Sequence, residues 1–231
     1  MFVFVVAGMA ASAALYWFAL RPRFLRWGAT GAEAEASMPG DDVIRHPTHV
    51  ATRAVTINAQ TEDVWPWLAQ MGYQRGGLYA YDWIDRLSGT LDRTSAERII
   101  PQLQRLAVGD VIPMGCGPGW PVKALEANRF LLLHIEEPGM ECTWAWRLVE
   151  LDESHTRLVK RVRTRLTSPL LVLLLHLSDP ASFLMTRKHL LGIKRRAEVA
   201  AWQSDPWLTD DLSGTGSMLP AWSSRHRHPS L

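Results

Sequence analysis

Several groupings in this chain have residue types and spacings suited to chemistry. His134 and Glu136 alternate on one strand-like run with Phe130 and Leu132. A buried imidazole beside a carboxylate can move protons; the plainer alternative is a polar strand end facing water. Asp82 and Asp85 stand one helical turn apart. Paired carboxylates can divide acid and base roles, although on a short surface helix they are ordinarily solvated. His46 and His49 have a metal-like spacing, but no Cys or carboxylate cluster accompanies them, and no zinc site is expected. The run Gly115-Cys116-Gly117-Pro118-Gly119 lacks the Lys and Ser/Thr of a phosphate loop and reads as a turn. The chain carries no nucleophile elbow, no dinucleotide fingerprint and no internal repeat. No cofactor and no metal are therefore expected, and no catalytic residue is assigned.

The aromatic residues are the more informative set. Residues 62–85 hold three Trp and three Tyr around the Gly76-Gly77 pair, in a chain with 11 Trp. Such side chains supply large apolar area with a polar handle. Trp144 and Trp146 share one strand face with Cys142 and Leu148. That face either packs as closed core or walls a ligand cavity. Tyr79, Tyr81 and Trp83 repeat at i, i+2 on a loop-to-helix transition, where they can form a cavity mouth. The candidate cavity set is thus Trp144, Trp146, Tyr79, Tyr81, Trp83 and His134.

The elements that must position these side chains follow from periodicity and turn chemistry. Val50–Ile57 alternates as a first strand. Thr61 is placed to cap a helix with Glu62 and Asp63 in its first turn, and Gly72 to stop it. A second short helix covers Tyr81–Leu87 and closes at Gly89. From Gly109 onward the pattern is β: Val111–Met114, Pro121–Glu126, Phe130–Glu136, Cys142–Leu151 and Thr156–Thr167, separated by turn residues and most simply paired as antiparallel hairpins. Asp179-Pro180 opens a helix to about Trp202, with Asp as cap and Pro at the first position. Its apolar stripe is Phe183, Leu190, Ile193, Ala197 and Ala201. Just before it, seven of the eight residues Leu170–Leu177 are Leu or Val. That run is too short to span a bilayer. It is either a helical lead-in packed on the sheet or an interfacial wedge beside an anchor.

Bulk properties bound the rest. The 231 residues suit one domain plus extras, and 47% hydrophobic residues supply a real core. A net charge of +2 gives no field that argues for nucleic acid. Two cysteines exclude a disulfide scaffold. The basic run Arg157, Lys160, Arg161, Arg163 and Arg165, and a second run at Arg187, Lys188 and Lys194–Arg196, read as solvated faces or as surfaces drawn to anionic lipid. Phe2–Leu20 is 19 residues without a charge, followed by Arg21, Arg23 and Arg26. This pattern favours a membrane anchor over a signal peptide or a core helix, and the positive-inside rule then puts the following domain in the cytoplasm. The expected organisation is anchor and basic flank (1–26), connector (27–49), folded domain (50–202) and disordered tail (203–231). The fold class is α+β: a curved antiparallel sheet gripping a long C-terminal helix.

Particular strings add a resemblance. Trp27-Gly28-Ala29-Thr30, Met38-Pro39-Gly40-Asp41, Val64-Trp65-Pro66-Trp67-Leu68-Ala69-Gln70-Met71-Gly72, Arg75-Gly76-Gly77-Leu78-Tyr79-Ala80-Tyr81-Asp82-Trp83, Gly109-Asp110-Val111-Ile112-Pro113 and Leu190-Leu191-Gly192-Ile193-Lys194-Arg195-Arg196-Ala197-Glu198 resemble a membrane-linked bacterial branch of the SRPBCC superfamily. This is the START-like, polyketide-cyclase-like helix-grip fold. The resemblance covers roughly residues 27–202. It implies an apolar cavity between sheet and long helix, and members that carry lipids, sterols, hormones or polyketide intermediates, with a few catalysing cyclisation or dehydration. The expectation is a membrane-anchored binding module for a hydrophobic small molecule or lipid. The alternatives are a cyclase- or dehydratase-like enzyme using His134 and a Tyr, or a scaffold domain whose cavity is filled.

Overall fold

The computed structural model describes residues 2–115, 117 and 119–203. Cys116, Pro118 and residues 204–231, including His226, His228 and nearly all of the expected tail, lie outside the described residues.

Six strands form one antiparallel sheet in the order β1-β6-β5-β4-β3-β2. They are β1 (His49–Ile57), β2 (Val111–Ile112), β3 (Trp120–Glu126), β4 (Phe130–Glu137), β5 (Met140–Asp152) and β6 (His155–Leu166). The last four run as a meander of hairpins, because their turns are too short for any other connection. The first strand then closes the edge beside β6 with an unbroken register from His49↔Thr164 to Ile57↔Thr156. The long helix α7 (Asp179–Gln203) lies across one face, after α4 (Thr61–Ala69) and α5 (Asp82–Leu87). This is the α+β helix-grip arrangement.

Period-two alternation decides which side chain meets the helix. Cys142, Trp144, Trp146 and Leu148 of β5 face α7. So do Leu131 and Leu133 of β4 and Leu158 of β6, which join Leu190, Ile193 and Ala197 of α7 in the main core. Leu132, Ala145 and Val159 point the other way and pack with Met38 in a smaller cluster on the convex face. Tight approach of one loop fixes the helix position. A Cβ on Gly192 would fall 2.1 Å from the Tyr79 carbonyl oxygen, so no larger residue lets α7 seat there.

The convex face is covered by residues 27–44, the front of the segment expected as a connector, which includes α3 (Gly31–Glu35). The arginines of β6 hold it. Arg161 donates to the carbonyls of Glu33, Ala34 and Ala36 and pairs with Asp41. Arg157 grips Glu33, and Arg163 donates to the Ile44 carbonyl. This run is therefore a set of struts rather than a solvated face, except for the exposed Arg165 and for Lys160, which points to the opposite side of the sheet.

Two local expectations are corrected. The N-cap of α4 is Gln60, and the Thr61 hydroxyl donates to Glu62 instead of closing the helix end. The Asp179 carboxylate does not cap α7. It accepts from His49 Nε2 at 2.6 Å and from Arg21 Nε at 2.7 Å, tying the helix to β1 and to the N-terminal segment. Of the two readings of the Leu-rich run, the structure gives a helix α6 (Pro169–Leu177) that touches the sheet only at its edge: none of its residues is buried, and Leu170, Leu171, Leu173, Leu174 and Leu177 are exposed. It meets the sheet edge only through the Leu175–His176 side, where His176 lies against His49, and its other leucines point outward.

The N-terminal helix runs through α1 (Phe2–Leu15), a π-helical turn (Tyr16–Leu20) and α2 (Arg21–Leu25). Phe4–Leu25 is long and apolar enough to cross a membrane, and none of its most apolar stretch is buried in the protein. Its end docks against α6 and α7. Tyr16 donates its hydroxyl to the His176 carbonyl at 2.6 Å, Trp17 meets the His176 ring edge-on, and Phe24 stacks on Phe183 at 5.1 Å.

Candidate functional site

Between the concave face of the sheet and α7 lies a cavity of about 430 Å3. The cross-strand register stacks its sheet wall in rows. His49, Thr164 and Cys142 form the outer row; Ala51, Val162 and Trp144 the next; Arg53 and Lys160 the inner one, with Trp146 in the same register but behind the wall. Beyond the inner row the space is shut by Leu158, Leu148, Leu190 and Ile193, all buried. Outer to inner row spans four residues of strand, or about 13 Å. The opposite wall is Ser182, Met185, Thr186 and His189 of α7, and the rim carries Met140, Leu175 of α6, Leu78, Ala80, Met114 and Trp120. Most of this surface is apolar, with a few polar groups converging at the closed end, as in a small-molecule site.

The polar groups at that end are unusual. Lys160 is 5% exposed. Its ammonium sits 4.3 Å over the Trp144 ring and 5.3 Å from that of Trp146, and among the described residues it makes no hydrogen bond or ion pair. Burial lowers its pKa from 10.5 to about 7, and the nearby Arg53 charge adds to the effect. Arg53 donates from Nε to the Phe24 carbonyl and from Nη1 to Thr186 and Ser182, but its buried Nη2 has no partner. Burial lowers the Arg53 pKa to about 10. His189 donates from Nδ1 to the Leu78 carbonyl, so Nε2 holds a lone pair, and that atom is buried without a partner. Burial, then the neighbouring Lys160 charge, lowers its pKa to about 3 and keeps the ring neutral. His49 spends Nε2 on Asp179 and leaves Nδ1 unpaired. Cys142 is a free thiol against Thr164, pushed up to about 11 by burial. Asp85 also reaches the cavity. It bonds Thr90 through one oxygen, leaves the other without a partner, and is raised by burial.

The six residues expected at the cavity are dispersed. Trp144 lines it. Trp146 lies behind, fully buried in the main core, with its indole N–H unpaired. Tyr79 is also core: its hydroxyl donates to the Trp67 carbonyl, its ring stacks on His189, and burial raises its pKa. Its neighbours Leu78 and Ala80 reach the rim instead, because Tyr79 takes a left-handed backbone conformation (φ +54°) that breaks the i, i+2 alternation. Tyr81 is half-buried under Lys188, and Trp83 is 68% exposed on α5. The placement of His134 in the cavity is corrected. Alternation along β4 puts it on the convex side with Leu132, where Nε2 donates to Glu141.

Asp82 and Asp85 do not act as a pair. Asp82 braces the loop by accepting from the Ser95 amide and hydroxyl. His46 is exposed and apart from the bound His49. The ligand atoms of His134, Glu136 and Glu141 lie within 4.8 Å of one another, but Glu141 is already held by Arg165 at 2.6 Å. The residues missed from sequence are Lys160, Arg53 and His189. Strand parity was a usable signal for Lys160. It falls in register with Leu158, Val162 and Thr164, one position off the Arg157–Arg161–Arg163 face.

No protein-family model matches the chain, and no curated protein matches it. Among solved structures it is similar to a hypothetical protein from Helicobacter pylori, with 15% identity, TM-score 0.45, and 73% of this chain and 99% of that one covered. It is also similar to the Zhui aromatase/cyclase from Streptomyces sp. R1128, with 16% identity, TM-score 0.39, and 65% and 93% covered. A third is a polyketide-cyclase-like protein from Corynebacterium glutamicum, with 14% identity, TM-score 0.38, and 73% and 99% covered. The helix-grip description rests on this chain's own sheet order and on the helix laid across its concave face.

Proposed function

We propose that this chain is a membrane-tethered binding protein for an apolar small molecule or lipid. The carrying observation is the cavity itself: about 430 Å3, apolar along its length, closed at the inner row and rimmed by Leu175 of α6. A packed interior would have suited a scaffold domain. The tether reading is supported by the 22-residue helix Phe4–Leu25, none of whose most apolar stretch is buried against the described residues. Three arginines at its domain-side end favour a cytoplasmic domain. Helix α6 stands beside that helix with its leucines exposed, a composition suited to the headgroup boundary. A cavity rimmed by α6 would receive its ligand from the bilayer, and tethering raises the local concentration of both. Lipid extraction and native mass spectrometry of the full chain in mild detergent test the reading. A bound apolar molecule at one per chain supports it; a wild-type protein that neither retains nor takes up an apolar probe overturns it.

A cyclase- or dehydratase-like activity is the second reading, favoured by Lys160 and the bare Nε2 of His189 facing an open cavity. It no longer involves His134. If chemistry occurs, the molecule recovered from His189→Gln differs in mass from that of the wild type; identical masses oppose it.

A further inference from the structure

Arg53 and Lys160 are direct cross-strand partners on the concave face. Like charges directly opposite on neighbouring strands repel, and burial removes the water that would screen them. Both side chains are almost fully buried, yet among the described residues neither forms an ion pair with a carboxylate. The charged and titratable groups that face them are few. On β1 there is His49, on β5 Cys142, on α7 His189 and Asp179, and on α5 the rim residue Asp85. Asp179 already accepts from Arg21 and His49, and Asp85 pairs with neither cation. Two donors on neighbouring strands are thus left without an acceptor among the described residues: the Lys160 ammonium, with only aromatic faces for company, and the Nη2 of Arg53. Buried charge is retained when it is paired or meets a ligand. The outer rows beyond this point, Ala51, Val162, Trp144, Met140 and Leu175, offer mainly apolar contact, with His49, Thr164, Cys142 and, on the other side, Asp85 and Thr90 as the polar groups.

Resting on the binding reading above, we propose that the ligand is a single-chain amphiphile whose carboxylate seats between Lys160 Nζ and Arg53 Nη2, with its apolar tail running outward past Trp144 to α6. Two neighbouring N–H donors suit the two oxygens of a carboxylate. The arrangement also implies a proton. Lys160 is about half neutral near pH 7 in the empty cavity, and a bound anion beside it favours the charged form. Binding at pH 8 therefore takes up close to one proton per ligand.

The test uses the full chain, delipidated in mild detergent, with dodecanoate, its methyl ester and dodecanesulfonate as probes in native mass spectrometry and titration calorimetry. The expected result is that wild-type protein binds dodecanoate at least tenfold more tightly than the ester. Lys160→Met keeps ester binding and loses that preference, and wild-type binding of the sulfonate, which stays ionised, takes up a proton at pH 8. Equal affinity for acid and ester in the wild type overturns the carboxylate proposal while leaving the binding reading intact. An unchanged preference in Lys160→Met also overturns it. Absence of binding for all three probes removes the binding reading itself. Should Lys160→Met fail to fold, the proton count decides: no uptake with the sulfonate rejects the proposal.

Discussion

Replacing Lys160 by Met in the ligand-free protein should make it more stable at pH 6, and the gain should shrink as the pH rises. Burial lowers the Lys160 pKa from 10.5 to about 7 in the folded chain. At about 1.4 kcal/mol per pH unit, that interval amounts to an upper bound on the order of 4–5 kcal/mol. The sign follows from proton counts. Between pH 7 and 10.5 the unfolded chain binds the lysine proton and the folded chain does not, so wild-type stability rises with pH through that window. Below pH 7 the folded protein carries the full penalty of a buried, unpaired ammonium. Met preserves length and apolar contact with Trp144 and removes the charge. The cation–π attraction lost with it, about 0.5–2 kcal/mol, works the other way and brings the expected gain below that bound. Guanidinium unfolding of delipidated full-length protein in detergent, followed by Trp fluorescence at pH 6, 8 and 10, measures the effect. The expected gain is about 2–4 kcal/mol at pH 6, falling steadily by pH 10. Wild type and variant curves that run parallel in pH, or a variant less stable at pH 6, would refute an unpaired buried lysine.

Further expectations follow from other contacts. Gly192→Ala, which in an open helix would stabilise by up to about 1 kcal/mol, should here lower stability by roughly 1–3 kcal/mol, because the new Cβ meets the Tyr79 carbonyl; a rise in melting temperature contradicts the close packing. Leu190→Asp places a carboxylate among fully buried apolar neighbours and should cost several kcal/mol; an unchanged melting temperature would mean that α7 does not grip the sheet. Trp146→Phe should lower the melting temperature without affecting an apolar probe, and Trp144→Phe the reverse, since the former is core and the latter cavity wall. The Arg157 guanidinium holds the Glu33 carboxyl down to about 2, so this link stabilises above pH 4.5 and is lost as pH falls from there toward 2; protease cleavage within 27–45 that does not rise over that range argues against the strut.

Much of the fold was legible because alternation and turn chemistry are local. All six strands fell within a few residues of their expected positions, and α7 ended one residue beyond expectation. The side-chain constellation was less legible, for specific reasons. Strand parity alone gives two faces without saying which is concave, and His134 shares the convex face with Leu132. Tyr79 was spaced as a rim residue, but its left-handed backbone turned it into the core. Lys160 was hidden in a run of arginines whose partners, Glu33 and Asp41, lie more than a hundred residues away in sequence. Its own significance, a cross-strand meeting with Arg53, exists only in the register of β1 against β6.

The central claim is that the space above Trp144 and Val162 holds an apolar ligand. Its most direct test is native mass spectrometry of wild-type and Val162→Trp full-length protein, purified side by side from mild detergent. Val162 lines the cavity midway along its depth, and an indole there fills the tail path without touching the inner row. The account predicts one bound lipid-like molecule per wild-type chain and none in the folded variant. Equal occupancy in both, or an empty wild-type protein that also refuses added probes, contradicts it.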